Sequence, residues 1–216
     1  MLLNTEFNQT KTRLAALILS CISTSAVYAL PMSCEQTNAS NLKKFCGAQF
    51  KDLRAQLNEK YLTAYLITDA PIRLINDTNQ LWFNRLKQCK SNDCFQQQID
   101  IRLEDFNFYT SMNQSLTQHF IKYEQGEISK QPIHLQIHQL TKDRIKVEGI
   151  AYRNPNNRKD TQIVTLLAYT TPEKKSDILD NEHDCKYQLN FQKSILSIKT
   201  EQKGCERFTG VYRLYD

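Results

Sequence analysis

Glycine and proline are scarce in this 216-residue chain, five of each, which excludes collagen-like, glycine-rich and proline-rich architectures. After the first thirty residues no apolar stretch approaches the roughly 20 residues that a spanning helix needs. Neither charge sign dominates: 28 Lys and Arg face 23 Asp and Glu. The excess is dispersed, with no basic block of the kind that tracks phosphates, so a nucleic-acid partner is not expected. Chemical motifs are missing as well. The chain has no glycine-rich phosphate loop, no Gly-x-Ser-x-Gly elbow and no His-Glu-x-x-His. What it does contain fits a folded protein: 40% hydrophobic and 24% charged residues, with 16 Asn and 19 Gln making much of the surface polar without charge.

The first 29 residues read as a secretory signal. Lys11 and Arg13 close a basic segment, Leu14 to Leu19 is apolar, and Val27-Tyr28-Ala29 offers a cleavage site. Ile18-Leu19-Ser20-Cys21 resembles a lipobox, so a lipid anchor at Cys21 is the alternative to cleavage after Ala29. Either route takes Cys21 out of the count. The remaining six, Cys34, Cys46, Cys89, Cys94, Cys185 and Cys205, form the even set expected of three disulfides in an oxidising compartment.

Two halves differ in periodicity. In the first, Phe50, Leu53, Leu57, Tyr61 and Ala64 recur at helical spacing, Pro71 opens a second apolar run through Trp82 and Leu86, and a third helix starts near Cys94, with Asp93 as its cap. In the second, Ile133-Leu135-Ile137, Ile145-Val147, Ile163 to Tyr169, Tyr187-Leu189-Phe191, Ile195 to Ile198 and Phe208 to Leu214 have strand character, mostly alternating with period two. The fold class is therefore α+β: a disulfide-bonded helical hairpin or three-helix domain over 30–110, then an antiparallel β domain over 133–216, either a sandwich or a small barrel. The polar segment 111–132 reads as a linker or helical extension.

The first half resembles the lysozyme-inhibitor LprI-type N-terminal domain family over about residues 34–106. The matching positions are Cys34 and Cys46, Leu53-x-x-x-Leu57-Asn58-x-x-Tyr61, Gln80-x-Trp82 with Cys89, and Cys94-Phe95 followed by Ile99, Arg102-Leu103 and Phe106. The family's polar positions are replaced by Leu42, Arg54 and Leu86. The resemblance implies an exported bacterial envelope protein, periplasmic or secreted, or alternatively an outer-membrane lipoprotein. It would act by protein binding, with a lysozyme among the candidate partners. A structural or assembly role in the envelope is the rival; an undetected hydrolase or a secreted effector follows.

An antiparallel helical hairpin sets the start of its first helix beside the end of its second. That favours Cys46–Cys89 with Cys34–Cys94, the local pattern Cys34–Cys46 with Cys89–Cys94 being the alternative. Cys185–Cys205 lies wholly in the β half. No catalytic residue, cofactor site or metal site is expected. His134 and His138 share one face of a strand and read as its polar side, and Trp82 reads as core. The mature chain from residue 30 carries a net +4, which opposes approach to a basic lysozyme unless an acidic patch exists. Asp177, Asp180, Glu182 and Asp184 form the candidate acidic binding loop.

Overall fold

The computed structural model describes Cys34 and residues 42–111, 114–156 and 163–215. The expected signal and the alternative anchor at Cys21 lie outside the described residues. Among the described residues no helix is long and apolar enough to cross a membrane.

A short helix α1 (Leu42–Phe45) precedes α2 (Lys51–Ile67), α3 (Ile72–Leu86) and α4 (Asn92–Ser111). The helices follow their apolar stripes. Leu57, Tyr61 and Ala64 of α2 are buried, as are Leu74, Ile75, Trp82 and Leu86 of α3 and Phe95, Ile99, Phe106 and Tyr109 of α4. Pro71 stands at the N-cap of α3, where its missing N–H costs nothing. The cap of α4 is Ser91 rather than Asp93: the Cys94 backbone N–H donates to the Ser91 Oγ at 3.2 Å, and Asp93 sits in the first turn, where its charge suits the helix dipole. Leu42 and Leu86, two of the positions that depart from the family pattern, are fully buried. The third, Arg54, donates to the carbonyls of Phe45 and Gly47 and so ties α2 to the end of α1.

Among the described residues nine strands follow: β1 (Thr117–Glu124), β2 (Glu127–Ile128), β3 (Ile133–Thr141), β4 (Arg144–Tyr152), β5 (Ile163–Thr170), β6 (Asp177–Leu179), β7 (Lys186–Gln192), β8 (Ile195–Lys199) and β9 (Gly210–Tyr215). They form one antiparallel sheet in the order β5-β4-β3-β1-β9-β8-β7-β6, with β2 paired to β1. The sheet curls until its two edges meet. The Asn181 N–H donates to the Leu167 carbonyl at 2.8 Å, and the Leu167 N–H donates to the Asp180 carboxylate at 3.0 Å. A side chain thus supplies the acceptor that β6 is too short to offer, and the sheet is nearly closed at Leu167.

Segment 111–132 is not a linker. It holds β1, a central strand between β3 and β9. The alternation that marks a half-buried strand is lost there because both faces are covered: Phe120 points into the barrel, while Thr117, His119 and Ile121 lie buried on the other side. The described residues of helices and sheet also belong to one compact unit. Ile121 and Tyr215 of the sheet share a hydrophobic cluster with the helices, and the Tyr215 hydroxyl donates to Asp77 of α3 at 3.0 Å.

The disulfides are Cys34–Cys46, Cys89–Cys94 and Cys185–Cys205, with Cα separations of 5.7, 5.5 and 5.7 Å. The favoured crossing pattern is therefore replaced by the local one. The reason lies in the turn between α3 and α4. It reverses the chain within five residues and brings Cys89 within bridging distance of Cys94.

The barrel interior is apolar: Leu135, Val147, Ala168, Leu196, Phe208 and Tyr212 are buried there. Gly149 is required by the packing of Leu135 and Phe208. A Cβ at this position would stand 2.7 Å from Leu135 Cδ2 and 2.8 Å from Phe208 Cε1. Phe208 lies in a 3-10 turn (Glu206–Phe208) ahead of β9 rather than in the strand, and its ring meets Tyr187 edge-on at 6.2 Å.

Candidate functional site

The outer face of β1 and β3 is polar, and the helices cover it. Pairing sets Thr117 opposite His138, His119 opposite Gln136 and Ile121 opposite His134, all with side chains toward the helical layer. From the other side α3 presents Thr78, Trp82 and Arg85, and α4 presents Gln98, Arg102, Asp105 and Tyr109. Successive positions on α4 are three or four residues apart, which places them on one stripe.

Most of these groups hold one another. The Trp82 indole N–H donates to the Gln98 carbonyl at 2.6 Å. Arg85 is only 5% exposed; its Nε donates to Gln98 Oε1 at 3.1 Å, its Nη1 donates to the Arg153 carbonyl at 2.7 Å, and its guanidinium lies 4.4 Å from the Tyr152 ring centroid. Arg102, fully buried, pairs with Asp105 at 3.1 Å and donates to the Ile75 carbonyl at 3.2 Å and to Thr78 Oγ1 at 3.3 Å. The His119 Nδ1 and the His134 Nε2 share a hydrogen bond of 3.2 Å, and the Thr117 hydroxyl contacts His138 Nδ1 at 2.6 Å. Among the described residues, five buried atoms of this layer remain without a partner: Arg85 Nη2, Gln98 Nε2, Arg102 Nε, His119 Nε2 and Gln136 Oε1. Each such group carries a desolvation cost, so a concentration of them in one layer marks a place where a ligand or water has something to bind.

Space for one exists. An inner chamber of about 40 Å³ lies among Trp82, Arg85, Asp105, Tyr109, Gln136 and Tyr152. An outer cleft of about 330 Å³ shares Asp105, Tyr109, His134, Gln136 and Tyr152 with it, and is rimmed by Glu104 of α4, Glu148 of β4 and Glu182 from the turn after β6. That volume is of the size small ligands occupy.

Burial sets the protonation states. It pushes the His119 imidazole down to about 4 and holds the His134 imidazole well below its usual range, a neighbouring His119 charge acting in the same sense, so both are neutral hydrogen-bonding groups at pH 7. Burial raises the Asp105 carboxyl, while the Arg102 guanidinium beside it pulls the other way. Burial also lowers the Arg85 guanidinium to about 10, so it keeps its charge at pH 7. The Tyr109 and Tyr152 phenols are raised by burial and remain protonated donors.

The residues singled out in the sequence fall in different places. Leu57, Tyr61, Trp82 and Phe95 are core, Leu53 and Leu103 are partly buried, Asn58 is intermediate, and Gln80 is exposed and bonded to Asn84. The acidic loop does not form a four-carboxylate surface. Asp177 belongs to β6, and Asp180 is buried, accepting from the Leu167 and Glu182 N–H groups and contacting His183 Nδ1 at 2.8 Å. Asp184 is exposed at a positive φ of 55°. Glu182 alone of the four reaches the cleft, where it accepts from the Thr165 hydroxyl. Asp180, Glu182 and His183 bring ligand-type atoms within 4.8 Å of one another, but the Asp180 oxygens already serve the barrel seam. His134 and His138 share a face, yet each engages a different partner on β1.

Arg85, Asp105, Tyr109, His119, Gln136 and Tyr152 were not singled out as site residues. One signal was legible: Arg102 interrupts an otherwise apolar α4 stripe of Phe95, Ile99 and Phe106. Fold and site together define a class: a disulfide-stapled, nearly closed antiparallel barrel whose outer face meets a helical layer across a polar cleft. Compared with protein-family models, with curated proteins and with solved structures, the chain finds no match. The functional reading therefore rests on the residues and their geometry.

Proposed function

We propose that this chain is an exported bacterial envelope protein that works by binding a protein partner, not by catalysis, and that the partner is a basic one received at the acid-rimmed cleft. The observation that carries this reading is the convergence of Glu104, Glu148 and Glu182 on one cleft from α4, β4 and the turn after β6. In a chain with net positive charge, this is the local patch of opposite sign that association with a basic partner needs. Three disulfides fit an oxidising, periplasmic or secreted location, with the Cys21 lipid anchor as the outer-membrane alternative. The helices with their two local disulfides stand where the LprI-like resemblance falls, and a lysozyme is the partner that resemblance implies.

The test is inhibition of at least two lysozyme classes by the oxidised protein, at low and physiological salt. Stoichiometric inhibition that weakens with salt and with Glu104→Gln plus Glu182→Gln is the expected result. Its absence at large molar excess would remove the lysozyme reading and leave an envelope binding or assembly protein, to be pursued by partner capture.

A hydrolase is the second reading, because His134, Asp105 and Glu148 meet in the same cleft. Three features weigh against it. Asp105 is paired with Arg102, Glu148 with Lys146 at 2.7 Å, and His134 is too weak a base at neutral pH to take a proton from water. Turnover of cell-wall glycan or peptide by the purified protein would reinstate it.

A further inference from the structure

The layer between helices and sheet holds two buried guanidiniums, Arg85 and Arg102, and one partly buried carboxylate, Asp105. Asp105 bonds to Arg102. Arg85 bonds directly to neutral groups, the Gln98 side-chain oxygen, the Arg153 carbonyl and the Tyr152 ring, and among the described residues its Nη2 has no partner. Asp105 lies close enough to attract it but is hydrogen-bonded to Arg102, so two guanidiniums share one carboxylate and the missing charge is negative. The chamber that Arg85 lines offers about 40 Å³, room for roughly three water-sized groups, which is the heavy-atom count of a carboxylate. Along the way out, the charge reverses at Glu104, Glu148 and Glu182.

We infer that the cleft binds a zwitterionic ligand end-on, its carboxylate seated against Arg85 Nη2 in the inner chamber and its cationic group at the Glu104 and Glu182 rim. The chemistry is that of a free α-carboxylate joined to a nearby ammonium or guanidinium. A free basic amino acid supplies it, and so does the C-terminus of a polypeptide ending in a basic residue. Arg85 contributes a charge-assisted hydrogen bond, and Gln136 Oε1, the unpaired acceptor in the same chamber, takes an N–H or a protonated oxygen of the ligand. The two recognition elements are opposite in sign, so an anion alone is repelled at the rim and a cation alone is repelled at Arg85. This inference rests on the cleft being a binding site, not on the partner being a lysozyme.

The experiment is calorimetric titration of the oxidised protein with L-lysine, L-lysinamide, L-norleucine and the dipeptide Ala-Lys with a free or an amidated C-terminus. Binding of the free-carboxylate lysine compounds is expected, with the amides weaker by about tenfold to a hundredfold, the scale of a lost charge-assisted hydrogen bond. Norleucine, which keeps the chain and lacks the side-chain ammonium, is expected to bind more weakly than lysine. Uptake of both lysine and Ala-Lys assigns the free amino acid as sufficient; uptake of Ala-Lys alone assigns a peptide C-terminus. Arg85→Gln is expected to abolish the difference between acid and amide. Glu104→Gln with Glu182→Gln, both at exposed positions, should abolish the difference between lysine and norleucine without touching the buried layer. Equal binding of acids and amides, or no heat with any probe at millimolar concentration, overturns the inference and leaves the chamber as a water-filled seam. A protein that binds these probes and does not inhibit lysozyme separates this inference from the lysozyme reading.

Discussion

The sheet buries two surfaces of opposite character. Its inner surface closes on Leu135, Val147, Leu196, Phe208 and Tyr212, an apolar core. Its outer surface, over β1 and β3, meets the helices through His119, His134, Gln136, Arg85, Arg102 and Asp105. The inner one is closed to water and leaves few polar groups to satisfy; the outer one opens at the cleft and, among the described residues, leaves five buried atoms unpaired. Apolar burial stabilises in proportion to area, whereas a half-satisfied polar layer contributes little and is tolerated where it has another use. The same strands therefore carry apolar stabilisation on one side and a half-satisfied polar layer on the other.

Three perturbations sharpen that contrast. The largest effect is expected inside the barrel: Phe208→Ala removes the ring packed against Gly149 and Tyr187 and should cost about 3–5 kcal/mol, read as a lower urea midpoint. A loss under about 1 kcal/mol would mean the interior is not the stabilising surface.

Acid acts on the other side. The unfolded chain takes up a proton on His119 near the ordinary imidazole value, while in the folded protein burial delays this until about pH 4. Stability should be full above about pH 6.5 and decline as the pH falls toward about 4, by about 3 kcal/mol for this group, with His134 shifted in the same direction. Urea midpoints across that window measure it. His119→Gln should flatten part of the decline, and an unchanged profile in this variant would assign the acid sensitivity elsewhere.

The smallest contrast lies between disulfides. Opening Cys185–Cys205, which spans 20 residues and packs in the barrel core, should cost about 3 kcal/mol. Opening Cys89–Cys94, which spans five, should cost about 2, on chain-entropy grounds. Paired Cys→Ser variants compared by thermal unfolding report the difference, and a reversed order would show that the short bridge does more than hold its turn.

How far the chain could be read in advance follows from what periodicity encodes. An element with one apolar face shows it, and so the stripes at Leu57, Tyr61 and Ala64 and at Phe95, Ile99 and Phe106, and the alternation of Ile133, Leu135 and Ile137 with His134, Gln136 and His138, were visible. An element with apolar residues on both faces, as Phe120 and Ile121 are in β1, shows no clean alternation. β1 was lost for this reason, although it is the strand on which the helical layer and the barrel meet. Asp180 illustrates the complementary error. Among Asp177, Glu182 and Asp184 it reads as one more surface acid, and only the curling of the sheet turns it into the acceptor that closes the seam at Leu167.

Residue order and hydropathy alone determined the helices-then-strands arrangement, the six cysteines available for three bridges, and the dispersal of basic residues along the chain. Those properties are local or compositional, and neighbouring residues suffice to express them. The tertiary structure alone decided which cysteines pair, that the described helices and strands form one unit, and that Asp105, Gln136 and Tyr152 line both an inner chamber with Arg85 and an outer cleft with Glu182. These residues come from α3, α4, β3, β4 and the turn after β6, almost a hundred positions apart at the extremes, and only the packing of the helical layer on the curled sheet brings them together.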